Sequence, residues 1–135
     1  MNEPARIREV LDDSGLWFVV GLGDNPSRTA YAVARTIQAH GKRVIPIHPR
    51  AESVHGERGY STITEAAKAL GKPDVVDMFV NSDRVSALTD EAIAVGASAV
   101  WFQLDVIDYD AAQRVEDAGL TMIMDRCPAI EWSRV

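Results

Sequence analysis

Residues 16–30 read LWFVVGLGDNPSRTA, and the break at Gly21 decides the fold. LWFVV is a continuous run of aliphatic, aromatic and β-branched residues, the pattern of a strand buried on both faces of a parallel sheet. GLGDNPSR then supplies glycine, asparagine and proline, which turn the chain, before a helix-forming stretch resumes. A strand, a glycine turn and a helix make the first half of a βαβ unit. Such turns commonly let an anion approach the backbone. The dinucleotide fingerprint G-x-G-x-x-G is incomplete here, because Pro26 stands where its third glycine belongs.

The rest of the chain repeats the alternation. ARIREVLDD places Ile7, Val10 and Leu11 at helical spacing, so residues 1–14 form a leading helix stopped by Gly15. SRTAYAVARTIQAHG carries Ala30, Val33, Ala34 and Ile37 along one helical face and ends at Gly41. RVIPIHP is strand two, unusual for Pro46, which donates no ladder hydrogen bond and therefore belongs near a strand end or edge. Residues 51–60 read as loop, and Thr62 or Thr64 opens a short helix closed by Gly71. DVVDMFV (74–80) is strand three, SDRVSALTDEAIAVG a helix, SAVWFQL (98–104) strand four, DYDAAQRVEDAGL a helix and TMIMD (121–125) strand five. The expected architecture is one α/β domain over residues 1–135, Rossmann-like and doubly wound. Its five parallel strands are expected in the order 3-2-1-4-5, with helices on both faces. Ligands of such sheets sit beyond the carboxyl ends of the strands, at the switch point, here expected between strands one and four.

Composition narrows the function. A chain of 135 residues with 47% hydrophobic and 25% charged residues supports one core and not a cofactor domain joined to a substrate domain. A net charge of -6 opposes binding to nucleic acid or to an anionic membrane surface. The longest uncharged apolar stretch, AIAVGASAVWFQL, is short of the roughly 20 residues of a bilayer span, and the charged start lacks a signal-peptide core. One cysteine, Cys127, excludes an intrachain disulfide and suits a reducing cytoplasm. His40, His48 and His55 fall on unrelated elements, so no metal site is expected.

Five strand ends converge: GLGDNPSR, IHPR, FVNSDR, QLDV and DRCP. In the first, Gly21 and Gly23 bring amides close to a ligand, Asn25 or Ser27 can cap the helix, and the helix start favours an anion such as a diphosphate. NAD sites place Asp or Glu at the end of strand two, about 20 residues past the glycines, to hold ribose hydroxyls. This chain has His48-Pro49-Arg50 there. Plain NAD is disfavoured, whereas Arg50 suits a ribose bearing an additional phosphate, as in NADP or coenzyme A.

The VVGLGDNPSRTAY turn, the ending VIPIHPR, the DVVDMFV strand, VWFQL and the closing MDRCPAIEW together resemble the small single-domain CoA-binding proteins, related to the CoA-binding domain of the succinyl-CoA synthetase alpha subunit. The resemblance spans nearly the whole chain. It implies that the glycine turn, here Gly21, Leu22, Gly23, Asn25, Ser27 and Arg28, wraps the CoA diphosphate. It places the adenosine beside Ile47, His48, Pro49 and Arg50, and adds Phe79, Val80 and Asn81 from strand three. Gln103 and Leu104 fall near the pantetheine path, and Cys127 and Pro128 are the closing Cys-Pro. Ligase activity is not implied, since its phosphorylated histidine belongs to a further domain.

No nucleophile elbow, P-loop or metalloprotease helix occurs. The expectation is therefore non-enzymatic binding of CoA or acyl-CoA, as carrier, sensor or regulator; the alternative is an NADP-dependent oxidoreductase domain. A homodimer or a protein partner is open. Were Cys127 to face the pantetheine sulfur, its thiolate could attack CoA disulfide, releasing one CoA thiol and leaving a mixed disulfide with CoA; the plainer reading is a small buried apolar residue. Trp132 either joins a dimer or packs the tail onto the sheet.

Overall fold

The computed structural model describes residues 1–134. Its elements are α1 (Pro4–Asp13), β1 (Leu16–Val20), α2 (Thr29–Ala39), β2 (Arg43–Ile47), α3 (Ile63–Leu70) and β3 (Val75–Met78), followed by a 3-10 turn (Ser82–Arg84) that runs into α4 (Val85–Ala94). The chain closes with β4 (Ala99–Phe102), α5 (Tyr109–Asp117), β5 (Thr121–Ile123) and α6 (Pro128–Ser133). The five strands form one sheet, ordered β2-β1-β3-β4-β5, and every pairing is parallel.

The Rossmann-type order holds with one reassignment. The place outside β2 belongs to a single extended residue, Tyr60, which bridges Ile47 in parallel. The strand expected there from residues 74–80 instead lies between β1 and β4. Residues 51–60 are too polar and glycine-rich to bury a whole strand, so this edge shrinks to one bridge. The chain then crosses back over the sheet, and the switch point falls between β1 and β3.

Pro46 is explained by the same edge. Arg43 donates to Gly15 and Ile47 accepts from Gly21, both at 2.8 Å, so odd positions of β2 face β1. The even positions face outward: Pro46 O accepts from Tyr60 N at 2.9 Å and His48 N donates to Tyr60 O at 3.0 Å. The amide hydrogen that proline lacks would have pointed at the edge, where the ladder does not need it.

Two apolar layers sandwich the sheet. Phe18, Val20, Val76, Met78, Val100 and Phe102 face α3, α4 and α5, while Trp17, Val19, Val75 and Trp101 face α1, α2 and α6. Each helix buries the residues its spacing dictates; α2 buries Ala30, Val33, Ala34 and Ile37. Trp17 and Trp101, both fully buried, lie 5.8 Å apart between ring centroids, and their indole N–H groups donate to Ser14 Oγ and Arg126 O at 2.8 Å. A buried indole thus keeps its apolar contribution of roughly 2–3 kcal/mol without an orphaned donor. Trp132 packs the tail inward: on α6 it stacks on His40 at 4.0 Å and 2° and lies 6.1 Å from Trp17.

Candidate functional site

At the carboxyl ends of β2, β1, β3 and β4 a cleft of about 770 Å³ opens between the start of α2 and the starts of α3 and α4. Of the residues expected from the sequence, Gly21, Arg28, Ile47, His48, Pro49, Phe79, Val80, Asn81, Gln103 and Leu104 line it. The switch point brings them together because β3 inserts beside β1. Gly21 makes the approach possible: its φ is +93°, and a β-carbon there would collide with the Phe79 carbonyl.

The glycine bend itself is less open than its composition suggests. Gly21 N–H is spent on Ile47 O. Asn25 Oδ1 accepts from Ser27 N at 3.0 Å and Ser27 Oγ at 2.8 Å, and Arg28 N closes the Asn25–Arg28 turn onto Asn25 O at 3.1 Å. Pro26 sits at the second position of that turn, where its fixed φ is suited. Asn25 and Ser27 therefore shape the turn and do not cap α2, whose N-cap is Arg28 with no side-chain bond. Leu22 points away into the core, 1% exposed. Gly23 is the seat on which the loop after β2 rests, since a β-carbon there would stand 3.3 Å from Glu52 and 3.4 Å from the His48 ring.

Arg50 lies outside the cleft lining. Its Nε pairs with Glu52 Oε1 at 3.4 Å, and that same oxygen accepts the Asp24 amide at 3.2 Å. The Asp24 amide, with Arg50 and His48 nearby, holds the Glu52 carboxyl below its ordinary value. Glu52, like Arg50, stands outside the cleft lining, on the loop after β2. Cys127 and Pro128 are also outside the lining: both are buried, Cys127 within the layer that holds Trp17, Leu22 and Trp101. A thiol there cannot meet a ligand in the cleft without unpacking α6.

Ser61, Thr62, Leu88 and Glu91, outside the strand ends read from the sequence, also line the cleft, as do Arg84 and Val106 from the ends FVNSDR and QLDV. Glu91 is committed to Thr64, taking its N–H and hydroxyl at 2.9 Å. Arg84 stands where the 3-10 turn runs into α4, close to that helix's start, where a cation opposes the helix dipole. Arg28 repeats the anomaly on α2. Helices α3 and α5 are capped by Thr62 and Asp108 side chains, whereas the two helices with arginine caps lack a side-chain cap and begin at the cleft. Neither Arg28 nor Arg84 makes an ion pair among the described residues.

The lining mixes polar side chains, among them Arg28, His48, Asn81 and Arg84, with apolar ones, Val80, Leu88, Leu104 and Val106. Gln103, 5% exposed, holds a buried Oε1 with no partner. A buried amide oxygen without a donor is costly, and this one has no surface open to the cleft. An anionic ligand with an apolar arm fits this set: arginines for the anion and apolar side chains for the arm. Among the described residues no cluster of three or more His, Cys, Asp or Glu is placed to hold a metal, and no helix is long and apolar enough to cross a membrane.

Comparison with known proteins agrees with that chemistry. The chain is 32% identical over 123 residues to YneT of Bacillus subtilis (strain 168), an alignment covering 91% of this chain and 89% of YneT. It superposes on a crystal structure of Prb, the PH1109 protein redesigned for binding, with a TM-score of 0.91 and 31% identity over 99% of this chain and 92% of that one. A protein from Pyrococcus horikoshii OT3 gives 0.90 and 31%, covering 98% and 91%. The CoA binding domain family matches residues 16–133. This chain, from its first strand to its last helix, belongs to the CoA-binding domain family.

Proposed function

We propose that the protein binds coenzyme A or an acyl-CoA in the cleft at the carboxyl ends of the strands, as a carrier, sensor or regulator and not as an enzyme. The observation that carries this reading is the convergence on one cleft of two arginines without an ion pair among the described residues, Arg28 at the N-cap position of α2 and Arg84 where the 3-10 turn runs into α4. A cation at a helix start costs stability unless an anion shares the site. The diphosphate belongs between Arg28 and Arg84. The pantetheine arm then runs past Gln103 toward Val80, Leu88 and Val106. Supporting a binding role, the carboxylate in the lining, Glu91, is bound to Thr64, and His48 Nδ1 accepts the Arg50 amide at 3.2 Å. Neither is poised against a nucleophile.

Calorimetry with CoA, acetyl-CoA, dephospho-CoA, NAD and NADP in parallel tests the reading. CoA and acetyl-CoA should bind, and at a hundredfold excess over Kd should stabilise the fold by about 2.7 kcal/mol. Acetyl-CoA should leave the cell unhydrolysed. A response to NADP without one to CoA would overturn the assignment.

A further inference from the structure

Leu104 lines the cleft yet is 46% exposed, and Ile107, on the same segment but outside the lining, is 39% exposed. With Tyr109 they make three of the five large apolar side chains exposed among the described residues. A lone exposed leucine is ordinary, whereas apolar side chains gathered on one segment at the mouth of a cleft mark a place where something binds. The segment is held in this form. Val106 N–H closes a turn onto Gln103 O at 3.0 Å, and Asp105, with a left-handed φ of +67°, donates its N–H to Asp125 Oδ1 at 2.8 Å. Ser82 Oγ accepts from Ile107 N–H at 2.9 Å and donates to Asp105 O at 3.2 Å.

The same clamp ties the segment to the apolar part of the lining. Ser82 follows closely on Val80, and Val106 belongs with Val80 and Leu88 to one apolar layer. Free CoA ends in a thiol, which leaves the apolar surface beyond these residues uncovered; a thioester carries an apolar chain on from the sulfur. Asp105, exposed in the same turn, disfavours a chain that itself ends in a carboxylate. Given the CoA reading, on which this rests, we infer that the ligand is an acyl-CoA of medium length whose uncharged acyl chain leaves the cleft over Leu104 and Ile107. Covering that segment is what distinguishes the acylated from the free coenzyme.

Calorimetry on the full chain with CoA, acetyl-CoA, hexanoyl-CoA and adipoyl-CoA tests this. A methylene taken wholly out of water strengthens binding about fourfold, and on an open surface about half of that free energy is expected. Hexanoyl-CoA should therefore bind at least about tenfold more tightly than acetyl-CoA. Adipoyl-CoA, equally long but ending in a carboxylate, should stay within about threefold of acetyl-CoA. Leu104→Ser and Ile107→Ser, both at exposed positions, should each lower the hexanoyl-to-acetyl ratio, and the double variant should bring it to about threefold or less. The ratio is read within each protein, so a general loss of CoA affinity cancels; melting temperatures check the fold, and if one variant fails to fold the other reads the ratio. A smaller ratio in the unaltered protein, with CoA still bound, overturns the acyl assignment and leaves the CoA site standing. An equal gain with adipoyl-CoA overturns the choice of an uncharged chain, and a ratio that survives the double variant overturns the role of Leu104 and Ile107. If light scattering finds a dimer that the double variant dissolves with the ratio unchanged, the surface belongs to a second copy and the acyl assignment falls. If neither CoA nor any thioester binds, both readings fall.

Discussion

The carbonyl oxygen of Phe79 occupies the space that a β-carbon on Gly21 would fill. Around this contact the sheet is pinned on both sides of β1, with Gly21 N–H on Ile47 O and Phe79 N–H on Val20 O, each at 2.8 Å. Gly21→Ala must therefore both adopt a left-handed φ and push β3 away from β1. The expected loss is about 3 kcal/mol or more, the sum of backbone strain and a displaced ladder. Urea denaturation of the variant checks it, and a loss below about 1 kcal/mol would show that the turn relaxes freely.

Asp77 stands on β3 in register with Val19 and Trp101, fully buried, with neither carboxylate oxygen hydrogen-bonded. Burial pushes its carboxyl well above the ordinary value of 3.8. A raised folded-state value means that the folded protein binds the proton more tightly than the unfolded chain. Its stabilising contribution is complete below pH 3.8. It declines as pH rises from there through the folded value, by up to about 1.4 kcal/mol per pH unit. Asp77→Asn removes this titration. Chemical denaturation at several pH values between 4 and 8 should show a flatter profile for the variant and greater stability than the parent at the upper end.

Arg28 and Arg84 should matter to binding and hardly at all to the free protein. Each of Arg28→Ala and Arg84→Ala is expected to weaken CoA about tenfold, the effect of a lost charge-assisted contact to phosphate. The melting temperature of the free protein should stay the same or rise slightly, because a cation leaves a helix start. Calorimetry and thermal melts on the same samples separate the two effects.

Cys127 immediately precedes α6 and is buried in the core layer that holds Trp101, so its thiol should be silent in the native state. Intact-mass measurement after exposure to CoA disulfide should find no adduct in buffer and one adduct in denaturing urea. A native adduct would show that α6 opens readily.

The local pattern of residues determined most of the elements. The face Ala30–Val33–Ala34–Ile37, the apolar runs of the five strands and the glycine at the end of α3 are periodicities and stop signals within a few residues, and all appear where expected. Ten of the residues expected at the site lie in the cleft because strand ends in a parallel sheet share one edge whatever their order. The α2 cap was misplaced because Asn25 and Ser27 satisfy each other, a choice between two short-range bonds that composition leaves open.

What tertiary structure alone decided is long-range. Nothing in DVVDMFV states on which side of β1 it will pair, since a buried parallel strand is apolar on both faces in either place. The crossover after Tyr60 makes that choice. Glu52 reaches Asp24 across 28 positions of chain, and Arg84 and Arg28 come to line one cleft only once β3 lies beside β1. Charges brought together this way belong to the packing of loops on a sheet edge, where burial and hydrogen bonding between distant segments set the arrangement and no local periodicity records it.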